Sequence, residues 1–135
     1  MIDLLRRWVG AWRRGGNPLG DCGEHEAARW LAARGYRVLH RNLRVGKDEA
    51  DLVMLDPDGR TVVIVEVKTR RDDDVRPEEN VHGRKRHRLN RLAAVLARRR
   101  EYRDRPFRFD VIAIVWPEGG APNVTHFLGA FASDL

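Results

Sequence analysis

Cysteine is nearly missing: Cys22 stands alone among 135 residues. No internal disulfide can form, which fits a reducing cytoplasm and leaves hydrophobic packing to hold together one domain. Long apolar runs are missing too. Nothing approaches the roughly 20 consecutive apolar residues of a transmembrane helix. The five histidines (His25, His40, His82, His87, His126) show no zinc spacing, and one cysteine cannot complete a structural zinc site. There is no Walker-type glycine loop and no nucleophile elbow. These absences exclude a disulfide scaffold, a membrane-spanning helix, a zinc module and two common catalytic loops.

Acids are scarce in one stretch. Between Arg84 and Arg105 there are ten Lys or Arg, against Glu101 and Asp104. With a formal net charge of +6, this block favours a polyanionic partner, nucleic acid before membrane. The plainer alternative is a solvated arginine-rich helix. At the N-terminus, Ile2, Leu5, Trp8, Val9 and Trp12 share one helical face, with Arg6, Arg7, Arg13 and Arg14 elsewhere. Residues 1–20 therefore read as a basic amphipathic or disordered extension, set off by Gly15-Gly16-Asn17-Pro18, and membrane contact is the weaker reading. The domain proper is expected over residues 21–135.

The order of elements predicts an α/β fold. Ala27, Ala28, Leu31 and Ala32 give a helix over Glu24–Arg34, closed by Gly35 as a C′ residue. Strands follow over 36–45, 49–55 and 61–69. A helix entered near Pro77 runs to about Tyr102, with Leu89, Leu92, Ala93, Leu96 and Ala97 as its buried stripe. Two further strands are expected over 107–116 and 123–128. A three-strand meander followed by a right-handed helical crossover to a parallel strand gives a mixed sheet flanked by helices.

The richest stretch is Val62-Val63-Ile64-Val65-Glu66-Val67-Lys68, an apolar strand carrying Glu-x-Lys at its end. Asp56-Pro57-Asp58-Gly59 before it is a strong turn signal. If that hairpin closes through the four residues Pro57–Arg60, then Asp56 pairs with Thr61, Asp51 with Glu66, and Glu49 with Lys68. Opposed residues share a face, so this register gathers Glu49, Asp51, Glu66 and Lys68, while a slip of one residue scatters them. Facing carboxylates repel each other and suit a hard divalent cation, Mg2+ or Mn2+. Asp51, Glu66 and Glu49 are the candidate metal ligands, with Lys68 placed to orient water or to stabilise charge on a phosphate. An ordinary salt-bridge network on a sheet face is the competing reading.

Glu24, at the start of the first helix, is the next candidate, although an acid there also suits the helix dipole. The long helix returns antiparallel to the third strand, which brings its N-terminal end near Glu66 and Lys68. Lys85, four residues before Leu89, leans toward the sheet and is the preferred phosphate contact; Arg84, Arg88 and Arg70 complete the set expected to meet nucleic acid. Asp110 reads as structural, pairing with Arg108 or a helix terminus.

Gly23-Glu24-x-x-Ala27-x-x-Trp30-Leu31, Gly35-Tyr36, Arg41-Asn42, Glu49-x-Asp51-Leu52, Val65-Glu66-Val67-Lys68-Thr69-Arg70, Val81-x-x-x-Lys85-x-x-x-Leu89 and Arg108-Phe109-Asp110-Val111 together resemble the YraN family of small bacterial proteins. The resemblance covers about residues 21–131. It implies a restriction-endonuclease-like core of the PD-(D/E)xK superfamily, distantly similar to archaeal Holliday-junction resolvases. In that superfamily an Asp, a Glu and a Lys act together, often with an acid from the first helix; by position these are Asp51, Glu66, Lys68 and Glu24. The chain departs from the family at Lys47-Asp48-Glu49-Ala50-Asp51, where Gly-Glu-Ile-Asp is usual, and in the loop Arg71–Val75, which lacks a Phe-Gly. The expectation is a Mg2+- or Mn2+-dependent endonuclease acting on DNA in preference to RNA, branched or recombining DNA included. The alternative is a non-catalytic nucleic-acid-binding module on the same fold. A homodimer is admitted, because two strands need two sites.

Overall fold

The computed structural model describes residues 18–71 and 81–131, with the backbone alone for residue 18, residues 81–87 and residue 131. The N-terminal extension and the loop after Arg71 lie outside the described residues. Helix α1 (Pro18–Ala32) leads to strands β1 (Arg37–Val45), β2 (Asp48–Leu55) and β3 (Val62–Arg70). Helix α2 (Val81–Ala97), a 3-10 turn (Arg100–Tyr102), β4 (Phe107–Val115) and β5 (Asn123–Phe131) complete the chain order. The five strands form one sheet in sequence order. β1–β2, β2–β3 and β4–β5 are antiparallel and β3–β4 is parallel, so α2 is the crossover connection.

Alternation along β3 sorts the core into two layers. Val62 and Ile64 pack with Leu89, Leu92, Ala93 and Leu96 of α2, whereas Val63, Val65 and Val67 pack with Ala27, Ala28 and Leu31 of α1. A strand buried on both faces explains the unbroken apolar run that led to Glu66.

Strand ends shift by at most a residue, except that β5 runs on to Phe131 rather than ending at 128, and two helix boundaries differ from expectation. Helix α1 starts at Pro18 rather than Glu24, because proline is tolerated in a first turn and Gly23 lies on the face that meets the sheet. Helix α2 stops at Ala97, and the basic segment up to Tyr102 becomes a separate 3-10 turn rather than more α-helix. Tyr102 is buried there and its hydroxyl lies 2.6 Å from His40 Nε2, a contact across the sheet that periodicity does not reveal.

The end of α1 is as expected. Gly35 has φ +94°, its N–H donates to Ala32 O, and the Tyr36 N–H donates to Leu31 O, the paired bonds of a glycine-closed helix terminus. Asp110 proves to be the centre of a structural network. Its carboxylate accepts from Arg108 Nε at 2.8 Å and from the Gly129 N–H at 3.0 Å, and it meets His126 Nε2 at 2.7 Å. Arg108 also donates to Asp56 and to the Tyr36 hydroxyl, tying β4 to the β2–β3 turn and to the end of α1.

Burial pushes the Asp110 carboxyl up, but its bonds to His126, Arg108 and Gly129 outweigh this and hold it below the usual carboxylate range. A folded-state pKa below the unfolded one adds stability above about pH 4, which is lost as the pH falls through the folded value. Urea midpoints are therefore expected to drop between pH 5 and pH 3 (about the span in which carboxylates protonate). Asp110→Asn is expected to lower the neutral midpoint and to flatten that drop.

Candidate active site

The hairpin register is set locally. Asp58 accepts the N–H groups of Arg60 and Thr61 and the Thr61 hydroxyl, and these bonds hold its carboxyl down to about 2. The Asp56 N–H donates to Thr61 O across the four-residue loop. The ladder then runs Leu55↔Val62, Met54↔Val63, Val53↔Ile64 and Leu52↔Val65. These four pairs keep the register that the turn chemistry predicts, but the ladder ends one step short of the expected pairing of Asp51 with Glu66. Beyond Leu52 the ladder stops, and a side chain replaces it: the Val67 N–H donates to Asp51 Oδ2 at 2.8 Å.

Three carboxyls converge where the strands part. Asp51 lies near Glu66 and near Glu24, which α1 delivers from beside the sheet, so that each acid feels the others' charge. Burial, then the charge of Glu66, push Asp51 well above the usual range, and the Val67 N–H offsets this only in part. Glu24 is raised as well, chiefly by burial, with Asp21, Glu49 and Glu66 adding like charge.

Glu66 and Lys68 are 2% and 3% exposed, and Lys68 Nζ lies 3.9 Å from Glu66 Oε2. On the other side, Arg88 Nη2 donates to Glu66 Oε1 at 3.3 Å, from a residue itself only 7% exposed. One helical turn on, Arg91 makes a two-pronged pair with Asp48 at 2.9 and 3.1 Å. The middle of α2 is thus pinned to β3 by one arginine and to the start of β2 by another.

Residues 23–114 match the sequence pattern of the uncharacterised protein family UPF0102. The chain belongs to this family, the YraN family. UPF0102 proteins similar to it include one from Pseudarthrobacter chlorophenolicus, 45% identical over 82% of this chain and 83% of that protein. Another, from Corynebacterium efficiens, is 42% identical over 82% of this chain and 89% of its own length. A third, from Pelobacter propionicus, is 39% identical over 83% and 81%.

In this family member the candidate residues divide by position. Glu24, Asp51, Glu66 and Lys68 come together at the end of β3. Glu49 stands apart: its side chain is 43% exposed and pairs with Arg44 of β1 at 3.7 Å. Arg88 is turned inward onto Glu66 rather than outward to solvent. Arg70 is half-buried at the last position of β3. Arg84 and Lys85 fall on the first turns of α2, and their side chains lie outside the described residues.

Arg88, Arg91 with Asp48, and Gly23 carry roles that the sequence reading did not assign. The signal for Arg88 was present, since it lies four residues before Leu92 in the buried stripe. A Cβ on Gly23 would overlap Thr69 Oγ1 and come within 2.8 Å of Thr69 Cβ, so only glycine lets α1 approach β3 beside Glu24. Gly23→Ala adds helix propensity of about 1 kcal/mol but forces overpacking of roughly 1–3 kcal/mol. Its expected outcome is a net loss of stability in thermal melts.

By chemistry alone the donor set, carboxyls of like charge near one another, is of the kind that suits a hard divalent cation. Among the described residues no group of three or more acids, histidines or cysteines is already posed around a point where an ion would sit. Glu66 is held by Arg88 and Lys68 instead. No helix among those residues is long and apolar enough to cross a membrane.

Proposed function

We propose that this protein is a metal-dependent nuclease that hydrolyses phosphodiester bonds in DNA. The observation that carries the reading is the convergence of Asp51, Glu66 and Glu24 with a buried Lys68 at the end of β3. Like charges gathered around a buried Glu66, with Asp51 and Glu24 half-buried, are costly, and such clusters concentrate at sites that do chemistry. Asp51, Glu66 and Glu24 would hold Mg2+ or Mn2+, which when bound polarises a phosphoryl oxygen and acidifies a water. Lys68 presents an ammonium to the negative charge that builds on the phosphate. Packing around β3 fixes its position before substrate arrives. The basic block from Arg84 onward supplies the polyanion attraction.

The deciding experiment is a cleavage panel of single-stranded, duplex and four-armed DNA with Mg2+ or Mn2+, with Lys68→Ala as the control. Metal-dependent cleavage that is lost in the control is expected. Inert wild-type protein on every substrate would count against catalysis. The second reading, a nucleic-acid-binding module without turnover, is favoured by the engagement of Glu66 with Arg88. It is separated from the first by calorimetry with Mn2+, since a pure binder need not hold a metal at Glu66.

A further inference from the structure

The Arg88–Glu66 pair is unusual in where it sits. An arginine on the surface of a nuclease-like fold would serve as a phosphate contact; this one is buried against a carboxylate that the proposed function gives to the metal. Glu66 therefore has two competing claims on one end: the guanidinium at Oε1, with Lys68 near Oε2, or a divalent cation. Bringing a dication beside a guanidinium in a poorly solvated pocket is repulsive, because the charges are weakly screened there. The repulsion disappears if the guanidinium moves to an anion of its own. Arg88 lies on the helix that begins the basic block, and a guanidinium fits a phosphate as well as a carboxylate.

We propose that Arg88 is an exchangeable latch: it pairs with Glu66 in the free protein and transfers to a phosphate of bound nucleic acid, freeing Glu66 Oε1 for the metal. Metal and nucleic acid then bind with positive coupling, each strengthening the other by the same factor. Divalent cation alone is held weakly, so the site assembles on its substrate rather than in free solution. The inference rests on the metal-dependent reading of the same cluster.

The latch has a signature that a merely structural ion pair lacks. In Arg88→Met the free protein no longer opposes the cation, and Ca2+ titrated by calorimetry is expected to bind at least about tenfold tighter than to wild type. Binding of a DNA duplex, followed by fluorescence anisotropy against salt, shows the other half. With Ca2+ present, the log–log salt slope of Arg88→Met is expected to fall by about 0.9, one phosphate contact, relative to wild type. With EDTA the two slopes coincide, because the wild-type arginine is then on Glu66. Circular dichroism checks folding, and Arg88→Lys, which keeps the charge on a different head group, stands in if the methionine variant does not fold; its Ca2+ affinity is expected to rise about threefold. Unchanged Ca2+ affinity in the variants, or a slope loss that is the same with EDTA, would overturn the latch while leaving the metal site intact. A wild-type protein that binds no Ca2+ at all would overturn the metal site and the latch with it.

Discussion

If the protein acts as the proposed nuclease, Asp51→Asn is expected to lower Mn2+-dependent cleavage by about a hundred- to a thousandfold, while leaving the protein as stable as wild type or more so. The loss follows from taking away an anionic ligand at the reacting phosphate, where one electrostatic contact is worth about a hundred- to a thousandfold in rate. The stability follows from the raised pKa of Asp51. The folded protein disfavours its charged form, chiefly through burial and the neighbouring Glu66, so a charge at this position costs stability that a neutral amide does not. The amide keeps an oxygen for the Val67 N–H and the side-chain volume, and it removes the like charge. A cleavage assay and a thermal melt on the same preparation test both halves. A variant that is inactive because it has unfolded would contradict the reading of Asp51 as a strained functional group.

Glu66→Ala, on the neighbouring strand, is expected to lose as much activity and to differ in stability. It removes the anion that Arg88 and Lys68, both buried, each meet at Glu66. Removing one member of a buried pair costs about 3–5 kcal/mol, because the remaining charge is uncompensated. The lower end of that range is expected here, since Asp51 and Glu24 each lose a like-charged neighbour. Urea unfolding at neutral pH measures the difference. Glu66→Gln keeps the shape and one acceptor, and should fall between the alanine variant and wild type. Opposite signs of stability change at two neighbouring carboxyls would separate their roles: Asp51 is kept despite its cost, whereas Glu66 also supports the fold.

Much of this geometry was legible because it is local. The apolar run Val62–Val67 identified a strand buried on both faces, and the Asp56–Arg60 turn fixed its partner register. Side chains alternate with a period of two, so once the loop length is known the pairs from Leu55↔Val62 to Leu52↔Val65 follow by counting. Gly35 closed the first helix where its left-handed φ was needed. The same counting sets Glu49 opposite Lys68, but the ladder ends at Leu52↔Val65 and Glu49 turns to Arg44 on β1 instead. A register describes strands that stay paired, and the candidate site lies where they part.

The sequence by itself determined the α/β order, the hairpin register, and the identity of the acids and the lysine at the end of β3. Only the tertiary structure decided how the two helices meet that end. The depth of Gly23 against Thr69 sets how close Glu24 comes to Asp51, and the rotation of α2 sends Arg88 inward onto Glu66 while Arg91 reaches Asp48. Turn chemistry and strand alternation act over a few residues and can be counted along the chain. Helix docking depends on the shapes of many side chains packed at once across the sheet, and no single spacing in the sequence encodes it.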